Sequence, residues 1–169
     1  DDERRLAWPA FDNLRRNPRD QLKIGLLTAQ RPGEIASMKW SEIDFENGTW
    51  TQETTKIGNT FICPLSPQVI AILQHRKDNP ARRYKDNPSE YVFPSAYNVH
   101  KGAAGTCAGI PIKQARQVCN DLKMEDWTPH DLRRTARTIL SRLQVKPHIR
   151  ERCLNHSQGK IEKVYDQFD

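Results

Sequence analysis

His130 and Arg133 stand three residues apart in the run His130-Asp131-Leu132-Arg133. On a helix that spacing puts both side chains on one face. The pair suits phosphate chemistry. A guanidinium can hold two oxygens with a fork of N–H donors, and an imidazole can move a proton near neutral pH. Taken alone the spacing is common, and a solvated helix face explains it as well. A second cluster is Arg31-Pro32-Gly33-Glu34. Arg31 falls at an expected helix N-terminus, where backbone N–H groups favour an anion. Glu34, three residues on, is placed to orient the guanidinium. A salt-bridged helix start reads from the same four residues without any chemistry. Near the other end, Leu154-Asn155-His156 is followed nine residues later by Tyr165.

Positioning these groups falls to a chain that reads as mainly α with one small antiparallel sheet. Leu6, Trp8, Phe11 and Leu14 predict a short helix over 6–16, with Pro9 in its first turn. Asp20 is a candidate cap for a second helix carrying Leu22, Ile24, Leu26 and Leu27 and ending near Gln30. Pro32 suits the first turn of a third. Residues 42–64 alternate apolar and polar positions around Asn47-Gly48, a two-residue hairpin signal, with a second turn at Gly58-Asn59. Three short strands are therefore expected, with Lys56 at the lip of the second hairpin. Ser66-Pro67 opens a helix bearing Val69, Ile70, Ile72 and Leu73. Residues 77–111 read as loop around a buried Tyr91-Val92-Phe93. Ile112, Ala115, Val118, Cys119 and Leu122 fit one helical face. Thr128-Pro129-His130-Asp131 is a helix start with a capping box, and Leu132, Ala136, Ile139, Leu140 and Leu143 give that helix its buried side. Pro147 opens a further helix through Leu154, and a last short helix carries Tyr165.

Bulk properties narrow the class. The 169 residues suit one domain with a real core. No apolar run approaches the roughly 20 residues needed to span a bilayer. The N-terminus has no apolar stretch behind it and no starting Met, which leads to the expectation of a longer parent protein. Lys and Arg total 27 against 21 acids, a net charge of +6 that fits either a phosphate-facing surface or an ordinary basic protein. Cys63, Cys107, Cys119 and Cys153 form no C-x-x-C pair, so free buried thiols are expected, in a reducing cytoplasmic compartment. Cys153 and His156 have half of a zinc spacing without a second half. No metal and no cofactor is expected.

The order of the elements carries more than any one of them. Arg31, Lys56, His130, Arg133, His156 and Tyr165 follow one another from about Leu22 to the chain's end. That series resembles the tyrosine recombinase (phage integrase) family. Leu27-Thr28-Ala29-Gln30-Arg31-Pro32-Gly33-Glu34 is similar to the family's first arginine box. Lys56, ahead of Pro64-Leu65-Ser66, is similar to its hairpin lysine, His130 and Arg133 to its H-x-x-R box, His156 to its His/Trp position and Tyr165 to its nucleophile. Lys39-Trp40-Ser41-Glu42-Ile43-Asp44 and Val92-Phe93-Pro94-Ser95 resemble the branch carried by prophages and genomic islands. Two positions depart. Ala29 and Asn155 stand where the family often has Gly; Ala29 is expected to sit without consequence on a helix, and Asn155 to tolerate a left-handed turn.

The resemblance implies a tyrosine recombinase catalytic-domain fold over residues 1–169, with DNA-binding domains upstream and a C-terminal tail beyond. It implies double-stranded DNA sites as partner, a homotetramer on DNA, and no membrane. Tyr165 would attack the phosphodiester to leave a 3′-phosphotyrosyl bond. His130 would take or share its proton, Arg31, Arg133 and His156 would hold the nonbridging oxygens, and Lys56 would protonate the departing 5′ oxygen. Glu34 and Asp131 read as residues that orient these groups. Tyr84, Tyr91 and Tyr97 are rival nucleophiles by type, and Lys39 and Lys160 rival lysines. Two other readings stay open: a type IB topoisomerase, which reseals the same strand, and a DNA-binding module with a decayed site.

Overall fold

The structure, a computed structural model, describes residues 2–53, 60–81, 88–95 and 106–156. Lys56, Tyr84, Tyr97, Lys160 and Tyr165 lie outside the described residues, as does the expected final helix. The architecture is mainly helical with one three-stranded antiparallel sheet. Among the described residues seven α-helices run α1 (Asp2–Ala10), α2 (Arg16–Thr28), α3 (Pro32–Ala36), α4 (Pro67–Asp78), α5 (Ile112–Leu122), α6 (Pro129–Arg142) and α7 (Pro147–Cys153). The strands are β1 (Ile43–Asp44), β2 (Thr49–Gln52) and β3 (Phe61–Pro64), in that spatial order. No helix among the described residues is long and apolar enough to cross a membrane.

Several starts follow the residue chemistry. The Ser66 hydroxyl accepts the Val69 N–H at the head of α4, and Pro67 fills the first position. At α6 the Asp131 carboxylate accepts from both the backbone N–H and the hydroxyl of Thr128, at 2.9 and 2.7 Å. Those hydrogen bonds hold the Asp131 carboxyl below its usual range, with Arg134 adding to the effect.

Other expectations give way. Pro9 lies in the last turn of α1, and the chain passes from there into a 3-10 turn at Phe11–Asn13. The Asn47-Gly48 turn is part of a four-residue loop, because Asp44 rather than Glu46 pairs with Thr49. The Asp44 carboxylate draws the loop in by accepting the N–H groups of Glu46 and Asn47, both at 2.9 Å. Tyr91 is half-buried, with Lys39 over its ring, while Val92 and Phe93 are in the core. Ile112 and Leu143 are exposed, the first at the start of α5 and the second at the C-cap of α6. Among the thiols, Cys63 and Cys119 are buried, Cys107 is half-buried and Cys153 is exposed.

The largest correction concerns Asp20. It does not cap a helix; α2 begins at Arg16 and Asp20 lies inside it, 2% exposed. Its carboxylate takes Arg76 Nη1 at 2.6 Å and Arg19 Nε at 2.8 Å. Arg76, buried near the end of α4, also donates to the Val92 carbonyl and to Asn17, and lies 4.5 Å over the Phe93 ring. One guanidinium thus ties α2, α4 and the 92–93 segment around the main core of Ile24, Met38, Trp50, Leu73 and Phe93.

Breaking this pair from one side strands a buried cation. Asp20→Ala is expected to cost about 3–5 kcal/mol in a chemical denaturation experiment. Asp20→Asn, which keeps an acceptor, should recover part of that. A loss indistinguishable from a surface substitution would contradict the assignment.

Candidate active site

Three segments meet at the site: the end of α2 with the start of α3, the second turn of α6, and the end of α7. Helix α2 stops at Thr28, and Ala29 follows in left-handed backbone with φ 58°. This corrects the expectation that Ala29 rides on a helix. The turn aims the Ala29 carbonyl at Arg133 and brings Arg31 to the N-cap of α3. Asn155, with φ 45°, makes the matching turn after α7, as expected for a residue that tolerates left-handed backbone.

The last carbonyls of a helix have no partner within it, and cations there are favoured by the helix dipole. At the end of α7 three consecutive carbonyls each take a side-chain donor. Cys153 O accepts Gln30 Nε2 at 3.0 Å, Leu154 O accepts Arg133 Nη2, and Asn155 O accepts Arg31 Nη2 at 2.9 Å. Arg133 Nη1 also donates to Ala29 O at 2.7 Å, and Arg31 Nη1 to Glu34 Oε1 at 3.0 Å. Glu34 Oε2 accepts the Arg31 backbone N–H at 3.3 Å, so one carboxylate fixes Arg31 at both ends. Beneath lie Ala29, Ala136 and Leu154, a small apolar cluster of its own.

Electrostatics agree with this closeness. Burial first, and then the charge of Arg31, push the Arg133 guanidinium down to about 10. It stays protonated at neutral pH. Arg133 is 4% exposed and the Arg31 side chain 17%. A guanidinium has five N–H donors, and the named contacts leave some over on each. Two cations held side by side by neutral carbonyls and one carboxylate retain net positive charge for an oxyanion.

His130 is exposed in the first turn of α6, one helical turn before Arg133 and on its face. The Asp131 carboxylate builds the cap that starts their helix and binds Arg134 Nη1 at 2.9 Å. His156 follows Asn155, its side chain 39% exposed, with Nδ1 hydrogen-bonded to Glu151 Oε2. Lys39, a rival by type, is paired with Glu90 at 3.1 Å, away from this site. Among the described residues no group of three His, Cys, Asp or Glu is placed to hold a metal ion.

The phage integrase family model matches residues 12–169. The chain belongs to the phage integrase family. Prophage integrase IntA of Escherichia coli K12 is 27% identical over 147 residues, which cover 85% of this chain and 33% of that protein. The chain thus spans about a third of that relative's length. The crystal structure of XerA recombinase superposes with a TM-score of 0.74 at 18% identity, covering all of this chain and 59% of that one. XerH recombinase in a pre-cleavage complex with its difH substrate gives 0.68 at 19%, over 98% of this chain and 48% of that one. Both likenesses establish the shared fold.

Within this integrase fold, the residues missed in the sequence act on backbone or on another side chain across a helix end. Gln30 has the position to be found, next to Arg31, but nothing in its type announces a carbonyl contact across the fold. Glu151 and Arg137 are further examples. Arg137 donates to Glu151 Oε1 through Nε and Nη2, at 3.0 and 2.8 Å, linking α6 to α7. The Glu151-to-His156 spacing of five spans the helix end, so helical periodicity does not reveal it.

Glu151 gives a pH test. Its hydrogen bond to His156, and then to Arg137, holds its carboxyl below the ordinary value of 4.5. A depressed folded value means the contribution is fully present above about pH 4.5 and is lost as pH falls through the lowered folded value. Glu151→Gln should therefore flatten the acid limb of stability below that pH in urea titrations. An unchanged acid limb would contradict the contact.

Proposed function

We propose that this chain is the catalytic domain of a longer site-specific recombinase that cuts and rejoins DNA through a phosphotyrosyl bond. The observation that carries the reading is the arginine pair: Arg31 and Arg133, seated on the carbonyls of Asn155, Leu154 and Ala29, with donors to spare. Breaking a phosphodiester by attack at phosphorus builds negative charge on the nonbridging oxygens. Preorganised N–H donors in a partly buried site stabilise that charge without having to reorganise. His156 gives its Nδ1–H to the Glu151 carboxylate, so its Nε2 adds a third donor when the ring carries its second proton.

The remaining roles rest on the ordered motifs. Tyr165 is the nucleophile, and its phenol, with an ordinary pKa of about 10, needs a proton acceptor. His130, exposed at the edge of the pair, takes or shares that proton. Lys56 protonates the departing 5′ oxygen. The balance is simple: the Tyr165 oxygen–phosphorus bond forms as the phosphorus–5′ oxygen bond breaks, leaving a 3′-phosphotyrosyl and a free 5′ hydroxyl. The bond energy is kept, so a second strand's hydroxyl can reverse the step without ATP. Every participant is a side chain; no metal is needed in this scheme. Partners are paired double-stranded sites, bound by a homotetramer in the bacterial cytoplasm, with integration or excision of a prophage or genomic island as the outcome. The E. coli relative is a prophage integrase and the XerH structure holds its DNA substrate, which supports this choice over a topoisomerase.

A nicked suicide duplex carrying the protein's own site tests the chemistry. A covalent protein–DNA band should form, and Tyr165→Phe should abolish it. Arg31→Ala and Arg133→Ala should each slow its appearance by about 100- to 1,000-fold. A band that persists in the Tyr165→Phe protein would overturn the nucleophile. Exchange of strands between two duplexes, rather than resealing of one, separates recombination from topoisomerase action.

A further inference from the structure

We infer that Gln30 is a positioning residue for the arginine pair, and that Gln52 reinforces the orientation in which Gln30 works. The inference rests on the reading of Arg31 and Arg133 as holders of the scissile phosphate.

Gln30 lies 1% exposed between the two catalytic arms of its own segment: Ala29, whose carbonyl binds Arg133, and Arg31 itself. Its amide nitrogen donates to Thr28 O and, across the fold, to Cys153 O, both at 3.0 Å. The next two carbonyls, of Leu154 and Asn155, are the ones that seat Arg133 and Arg31. Three side chains thus grip three successive peptide groups. A shift at Cys153 is passed directly to both guanidiniums.

A buried amide has two ends of nearly equal shape, and only one orientation serves here. With Nε2 toward Thr28 and Cys153, Oε1 is left to accept Gln52 Nε2, at 3.5 Å. Turned over, Gln30 would set its oxygen against two carbonyl oxygens and its NH2 against that of Gln52. Gln52, on the last described ladder pair of β2 and β3, reinforces the orientation that the two carbonyls select. It does so at a cost. Gln52 Oε1 and Asn155 Nδ2 are buried without a hydrogen-bond partner among the described residues. Buried unsatisfied polar atoms are unfavourable, and apolar side chains would avoid them.

The test separates misplaced guanidiniums from a weakened fold. Cleavage by the full-length protein is timed on two suicide duplexes. One carries the normal phosphodiester, the other a methylphosphonate at the scissile linkage, where a methyl group replaces one nonbridging oxygen and removes its charge. Arg31→Ala should lose far less on the neutral linkage, since there is less charge to stabilise. Gln30→Leu should lose up to about 100-fold on the phosphodiester, the scale of a roughly 1 Å misplacement, and much less on the methylphosphonate. Gln52→Leu should follow in the same direction with a smaller loss. Gln30→Met, which keeps length and removes both donors, carries the test where Gln30→Leu does not fold. If Arg31→Ala is linkage-dependent and the Gln30 variants lose equally on both duplexes, Gln30 is structural and the inference is overturned. If Arg31→Ala itself loses equally on both, the oxyanion reading falls and takes the inference with it.

Discussion

Two like charges beside each other in a protein interior repel, and this site depends on how that repulsion is managed. Arg31 and Arg133 are close enough that one lowers the proton affinity of the other. A pair of carboxylates would neutralise them and leave nothing for a phosphate. In contact with the pair the fold places the Glu34 carboxylate, with the charge of Glu151, itself bonded to Arg137, acting on Arg133 as well; the other contacts named are neutral carbonyls from the ends of α2 and α7. Partial negative charge at helix ends holds the guanidiniums in place while leaving the site cationic. Burial of Arg133 then removes the competing water that would weaken both contacts.

That solution explains the backbone. Carbonyls can point at Arg133 from two directions only if the chain turns sharply after both helices. Ala29 and Asn155 make those turns in left-handed conformation, a costly one for residues other than glycine. The rest of the molecule keeps the three segments in register. Asp20 and Arg76 lock α2 to α4, the Asp131 cap starts α6 where His130 and Arg133 share a face, and Arg137 and Glu151 join α6 to α7.

Legibility in the sequence followed the range of the interaction. Helix starts at Ser66-Pro67, Thr128-Pro129 and Pro147 are local contests between a few residues, and they read correctly. So did the three strands, whose alternation is local too. Asp20 was misread because a carboxylate before an apolar run looks like a cap; its actual partner, Arg76, is 56 residues away. Ala29 was misread for a related reason. A left-handed alanine has no local signature, and the carbonyl contact that justifies it comes from 104 residues further on. The arginines were visible by type and order, whereas Gln30 and Glu151, which act on backbone or on another side chain across a helix end, were not.

The arginine seats form without DNA, and the same seats should serve when DNA is bound. A crystal structure of the Tyr165→Phe protein on an intact recombination site tests it most directly. Arg31 and Arg133 should each lie within hydrogen-bond distance of a nonbridging oxygen of the scissile phosphate, with their contacts to Asn155 O, Leu154 O and Ala29 O retained. A phosphate bound elsewhere, or guanidiniums that abandon those carbonyls to reach it, would contradict it.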